Sequence, residues 1–299
     1  MKLRNRYMLS LVAASLTFIT ACDDGSPEAG TATLTLALTD AADVLYEAAT
    51  IEVGEVRMTR AGGAPVVLTD YAGEHDLLEL QDGVMADLAT LEIEAGRYLQ
   101  LRLEVLSASV TLADGFQFAD GSVTRDLRVP SGAQSGIKIN LTSADGDPDN
   151  AGVFIASGQS ILVVDVDVSQ NFVVQGPTAD PLAIQDVMFT PLLRASLQDV
   201  AGSISGTVTY ASATPADESE FATVTADLDL ASSDLLEAMQ TDMVSSPVAA
   251  DGTYTLWFLS PGDYEVSAAA TIGGSDHADG PQTVTVGEGE AVVGVDFTL

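Results

Sequence analysis

Residues Thr31–Thr39 read TATLTLALT, and the alternation in those nine residues decides the fold class. Leu34, Leu36 and Leu38 recur with a period of two. In an extended chain they line one face, while Thr33, Thr35 and Ala37 line the other. The same reading applies to Tyr98–Leu106, Ser107–Leu112, Ile137–Leu141 and Ile161–Val168. Between these runs stand Asp114-Gly115, Asp120-Gly121, Gly132 and Asp145-Gly146, which are turn formers. Many short alternating runs punctuated by such turns predict an all-β chain built as antiparallel sandwiches. Helical periodicity is weak. Asp76–Leu80, Val84–Leu91 and Ser233–Gln240 are expected as short helices or turns, the last of them as an insertion.

Charge divides the chain. The protein has 44 acidic and 11 basic residues, a formal net charge of −33. Arg194 is the last basic residue, and sixteen acids follow between Val200 and Leu299. That break predicts a domain boundary near 198–202, giving one β-sandwich domain over 31–198 and another over 199–299. So acidic a surface repels phosphate backbones and anionic lipid headgroups, which argues against nucleic acid as a partner. With 46% hydrophobic residues there is ample material for a core, so the acidity reads as a solvated coat.

Cys22 is the only cysteine, in the stretch FITACDDG. Lys2, Arg4 and Arg6 precede an uncharged run from Tyr7 to Thr20, the layout of a secretory signal and too short to span a bilayer as a helix. Ile19-Thr20-Ala21-Cys22 resembles the lipobox of bacterial lipoproteins. The resemblance implies removal of residues 1–21, lipid on Cys22, and a tether over 22–30. The expected location is extracytoplasmic, anchored to a bacterial membrane by lipid, with inner and outer membrane both open. The mature protein would then hold no disulfide.

Two further resemblances cover most of the remainder. Thr39-Asp40-Ala41, Asp76-Leu77-Leu78-x-Leu80, Ala95-Gly96-x-Tyr98, Pro130-Ser131-Gly132 and Ser135-Gly136 stand in the order and spacing of a family found in bacterial lipoproteins. It is known only as domain of unknown function four-three-eight-two, and the likeness implies a fold and no established activity. In the C-terminal part, Gly206-Thr207-Val208, Asp251-Gly252-x-Tyr254 and Leu259-x-Pro261-Gly262-x-Tyr264-x-Val266 resemble the carboxypeptidase regulatory-like, or prealbumin-like, sandwich. In each Gly-x-Tyr the glycine makes a tight turn and the tyrosine packs as the first strand residue.

A search for chemistry yields little. His75 and His277 sit among acids, Glu74-His75-Asp76 and Asp276-His277-Ala278-Asp279, without zinc-ligand spacing. Gly202-Ser203-Ile204-Ser205-Gly206 puts isoleucine where a nucleophile elbow needs serine. Asp145, Asp147 and Asp149 in the loop DGDPDN are the one candidate metal set, for Ca²⁺, although Asn150 and Ala156 stand where an EF-hand needs glycine and a carboxylate. Asp165 and Asp167 alternate with valines, as on a strand with one solvated face, and Trp257 lies in a strand-like run expected in the core. These readings predict a non-catalytic binding or structural module of the envelope, with an envelope protein or glycan as partner. The alternatives are a calcium-dependent adhesin or carbohydrate binder, and a hydrolase working with carboxylates alone.

Overall fold

The computed structural model describes residues 30–40, 45–129, 136–141, 152–176, 182–210, 222–228, 243–272 and 275–299. Strand succeeds strand, as the alternation requires. The N-terminal part runs β1 (Thr31–Thr39), β2 (Tyr46–Arg60), β3 (Pro65–Thr69), β4 (Gly73–Asp76), β5 (Ala86–Glu94), β6 (Gly96–Leu112), β7 (Thr124–Leu127), β8 (Ile137–Asn140), β9 (Val153–Ile155) and β10 (Gly158–Asp165). It continues with a four-residue helix, α1 (Val168–Asn171), then β11 (Phe172–Gln175), β12 (Asp186–Phe189) and β13 (Arg194–Leu197). The C-terminal part holds β14 (Gly202–Thr209), β15 (Thr223–Leu228), β16 (Val244–Pro247), β17 (Thr253–Leu259), β18 (Gly262–Ile272), β19 (Ser275–Val286), β20 (Ala291–Val293) and β21 (Phe297–Thr298).

In β1, Leu34, Leu36 and Leu38 are fully buried, and Ala37 and Thr39 are covered as well. The strand sits inside the sheet β13-β10-β1-β5. It pairs with β5 antiparallel but with β10 in parallel, so this sheet is mixed rather than wholly antiparallel. The second sheet, β3-β2-β6-β7 with β4, β8 and β9 attached, is built on β6. The two runs expected at Tyr98–Leu106 and Ser107–Leu112 are one continuous strand of 17 residues. It holds β2 along one side and β9, β8 and β7 in turn along the other. One apolar cluster from Ala32 to Ala195 fills the space beneath both sheets.

Val84–Leu91, expected as a helix or turn, contributes instead to β5. Leu88 and Ile93 are buried while Asp87, Thr90, Glu92 and Glu94 are exposed; the alternation with β1 runs from Thr90 to Glu94 and is offset at a bulge at Leu88, where the register shifts. Asp76–Leu80 does turn: Leu77–Leu80 is a single 3₁₀ turn whose N-cap, Asp76, accepts from the Leu78 amide at 3.2 Å. Ser233–Gln240 lies outside the described residues.

The C-terminal strands form two four-stranded sheets, β17-β14-β20 with β21 on β14, and β16-β15-β18-β19, around a second apolar cluster from Ile204 to Leu299. The Gly-x-Tyr devices recur across both clusters. Tyr98, Tyr254 and Tyr264 are buried. The Tyr98 hydroxyl donates to the Glu94 carbonyl at 2.8 Å, and Tyr264 to the Ser260 carbonyl at 2.7 Å, each bond closing the turn four residues back. Tyr254 reaches across to the Val295 carbonyl at 2.6 Å. Burial, and then the nearby Asp296 charge, push its hydroxyl pKa well up, so it remains a donor.

Gly202 and Gly206, which flank the false nucleophile elbow, are explained by packing. The chain from Glu290 to Val295 passes so close that a β-carbon on Gly206 would lie 1.9 Å from the Val295 carbonyl oxygen, and one on Gly202 2.4 Å from that of Glu290. Gly206→Ala is therefore expected to destabilise the protein by about 1–3 kcal/mol through forced separation of β14 from that segment. Urea unfolding of the variant measures it, and an unchanged midpoint would contradict the close approach.

Candidate functional site

The polar chemistry of the described residues converges where the first cluster meets the second. The C-terminal sandwich has two edge strands there, β16 in one sheet and β17 in the other. An edge strand leaves outward N–H and C=O groups that need partners. The N-terminal part supplies them from side chains.

Arg194, at the start of β13, caps β17. Its guanidinium donates to the Trp257 carbonyl at 3.2 Å and the Phe258 carbonyl at 3.3 Å, and the Ser196 hydroxyl donates to the Phe258 carbonyl at 3.1 Å. Consecutive carbonyls of a regular strand point to opposite sides. Here the register shifts between Gly202/Leu259 and Ile204/Leu256, so Trp257 and Phe258 form a bulge. Phe258 takes φ of 55°, a strained value for a bulky side chain, and the two carbonyls face the same guanidinium. The Nη2 that bonds the Trp257 carbonyl is also ion-paired with Asp165 of β10, which is itself 5% exposed.

Asp167 caps β16. Its carboxylate accepts from the Ser245 amide at 3.1 Å and from the Ser245 hydroxyl at 2.8 Å. The residues just after Asp167 hold it in the left-handed region, φ 42°. The amides of Gln170 and Asn171 both donate to its carbonyl, and Val168 N–H donates to Asp40 Oδ1 at 2.8 Å. Asn171, fully buried, gives its side-chain amide to the Asp167 and Leu192 carbonyls at 2.9 Å each. Asp82, Asp167 and Phe258 are the positive-φ non-glycine residues among those described, and all three lie at this junction. Strain concentrated at one place signals over-determined geometry.

Burial, reinforced by the Asp165 charge and offset by the two serines and Arg194, raises the Asp167 carboxyl to about 6. Because the folded value lies above the ordinary one, its contribution to stability is complete below about pH 4 and is lost as pH rises through 6. The space left between the parts is about 20 Å³, lined by Thr39, Asp40, Asp82, Asp165, Ser245 and Trp257 among others. That admits about one water. The junction is a packed contact rather than a ligand cleft.

These placements correct two expectations. Asp165 and Asp167 are not solvated but 5% and 4% exposed, because segments some 30 to 80 residues further on cover them. Trp257 is not core: it is 41% exposed and its ring lies over Gly83, where a β-carbon would sit 3.5 Å away. His75 hydrogen-bonds the Ala72 carbonyl at 3.1 Å and His277 is exposed on β19, each apart from the other. Cys22 and the candidate calcium ligands Asp145, Asp147 and Asp149 lie outside the described residues. Among the described residues, no group of three or more His, Cys, Asp or Glu is placed to hold a metal ion. A separate groove of about 450 Å³ crosses the outer face of the larger N-terminal sheet, lined by Thr50, Glu74, Ser107, Ser109 and Asp126. It offers acceptors and hydroxyls to a polar ligand.

Residues 31–180 match the domain of unknown function DUF4382. The chain belongs to this family. No curated protein matches it. Among solved structures, it is 11% identical to the Bacillus anthracis TIE protein, with 90% of this chain aligned and a TM-score of 0.18. The chain spans about a third of that protein's length, 34%. It is 9% identical to BcpA*(D312A), the major pilin subunit of Bacillus cereus, covering 90% of this chain and 99% of that one at a TM-score of 0.22. Among the described residues, no helix of this DUF4382 protein is long and apolar enough to cross a membrane.

Arg194→Met would leave Asp165 buried without its counter-charge, the Trp257 carbonyl without its donor, and the Phe258 carbonyl with Ser196 alone. The expected loss is about 3–5 kcal/mol in unfolding free energy, measured in urea at neutral pH. A loss below about 1 kcal/mol, the size of an exposed pair, would contradict the clamp.

Proposed function

We propose that this protein is a non-catalytic, extracytoplasmic module of the cell envelope, held at a bacterial membrane by lipid on Cys22. Residues 22–30 serve as its tether, and two β-sandwich domains, 31–198 and 199–299, form its body, the second of the carboxypeptidase regulatory-like type. The observation that carries this reading is the junction. Buried Asp167 and half-buried Arg194, the latter held by buried Asp165, are engaged in joining one part of the molecule to the other, which is the arrangement of a rigid spacer or binding module. Charge chemistry used for fixing geometry supports interaction over turnover.

The remaining support comes from the N-terminal sequence. A chain of net charge −33 gains nothing from an anionic membrane surface, so attachment falls to the lipid. Each buried methylene contributes about 0.8 kcal/mol, and more than one acyl chain makes the anchor lasting. The polar run Asp23-Asp24-Gly25-Ser26-Pro27 after the cysteine suits a tether. The proposed partner is an envelope protein or glycan, for which the acceptor-lined groove on the larger sheet is a suitable surface.

The test is fractionation of cells producing the wild type and Cys22→Ser. Wild type is expected in the membrane pellet, resistant to high salt and released by detergent. The serine variant is expected in the soluble or secreted fraction. Retention of the variant in the pellet after a salt wash would contradict a lipid anchor at Cys22.

A further inference from the structure

Around Ser245 three oxygen-bearing side chains crowd together more closely than their hydrogens allow. Ser169 Oγ lies 2.7 Å from Asp167 Oδ1 and 2.7 Å from Ser245 Oγ. Ser245 Oγ lies 3.0 Å from Asp167 Oδ1 and 2.8 Å from Oδ2. The three side chains thus form a triangle whose every side is a hydrogen-bond distance. Each side needs one hydrogen between its oxygens, and the two hydroxyls supply two. The Ser245 amide is a separate donor on Asp167 Oδ2 and fills none of the three. With Asp167 ionised, one side brings lone pairs face to face. With a proton on Asp167 the cycle is complete: carboxyl to one serine, that serine to the other, and the second serine back to the carboxyl.

We propose that the junction is proton-gated: a proton on Asp167 closes the ring with Ser169 and Ser245 and clasps the C-terminal sandwich onto the N-terminal one, and its loss loosens the clasp. Two of the three members belong to the N-terminal part and one to edge strand β16, so the ring's closure is a contact between the parts, beside the Arg194 and Ser196 bonds to β17. The charged groups nearby act in the same sense. Asp165 on β10, Asp40 after β1 and Asp82 before β5 are acids about the same small space. Arg194 on β13 opposes them but is committed to Asp165 and the β17 carbonyls. Strand β16 carries no titratable group, and β17 carries Tyr254 alone, whose hydroxyl is turned to Val295. Burial and the Asp165 charge raise the carboxyl to about 6, which brings its proton within reach of a mild change in pH.

The molecule contains its own reporter, since Trp257 is the one tryptophan and lies at the junction over Gly83. Acrylamide quenching of the full-length chain is measured from about pH 5 to about pH 8 at constant ionic strength, a window that spans the raised carboxyl value. Wild type is expected to show a step in Trp257 accessibility centred near pH 6, with the residue more accessible on the alkaline side. Asp167→Asn keeps a carbonyl acceptor and permanent N–H donors, so the step is expected to vanish with Trp257 held at its acid value. Ser245→Ala opens the ring and is expected to hold Trp257 at its alkaline value throughout; it decides the matter if the asparagine variant does not fold. No step in the wild type, or the same step in wild type and a variant, would overturn the proposal.

Discussion

One guanidinium holds this molecule together in a sense that no single apolar contact does. Arg194 stands between a buried carboxylate and the bulged edge of a second sandwich, and it answers both. Asp165 without it would be an uncompensated charge in a nearly dry site. The Trp257 carbonyl without it would be an acceptor turned outward from an edge strand, and the Phe258 carbonyl would keep Ser196 alone. The strained Phe258 bulge makes sense only as the means of aiming both carbonyls at one donor group. Position 194 is the last basic residue in the chain, and the acidic stretch after it contains nothing that could replace it.

Asp167 works in the opposite sense on the neighbouring edge. Arg194 presents hydrogens to carbonyls of β17, and Asp167 presents lone pairs to the amide and hydroxyl of β16. Complementary groups from the N-terminal part therefore cover complementary deficits on adjacent edges of the C-terminal one. Both caps stand on backbone that is itself pinned, Asp167 by the Asn171 network and Arg194 by pairing of β13 with β10. The exposed edges that would invite pairing with other chains are used instead to set the pose of one sandwich on another. The proposed role as a spacer or binding module of the envelope requires this of the fold.

Local patterns make the strands legible, and non-local ones hide the junction. The leucines of Thr31–Thr39 mark a buried face directly, and Gly96-x-Tyr98 and Gly262-x-Tyr264 announce their turns through residues only four apart. Asp165 and Asp167 alternate with valines as acids on a wet face would. Their burial comes from Arg194 and Ser245, which nothing in the local spacing relates to them. Phe258 bends the chain at positive φ without a glycine to advertise it, and Trp257, next to buried Leu256, takes the outward position of the alternation. The parallel pairing of β1 with β10 spans more than a hundred residues and leaves no mark in either strand. The break in basic residues after Arg194 is visible in the sequence, and the structure gives it a meaning: the last cation is the one that clamps.

The amide of Ser245 is the most direct witness to this account. It points away from its own sheet, and its partner is Asp167 across the junction. Hydrogen exchange of the full-length protein in mildly acidic buffer should therefore find this edge amide as slow as the inner amides of β15 and β18. Exchange of Ser245 at the rate of a free edge, while β15 remains protected, would contradict the capped junction.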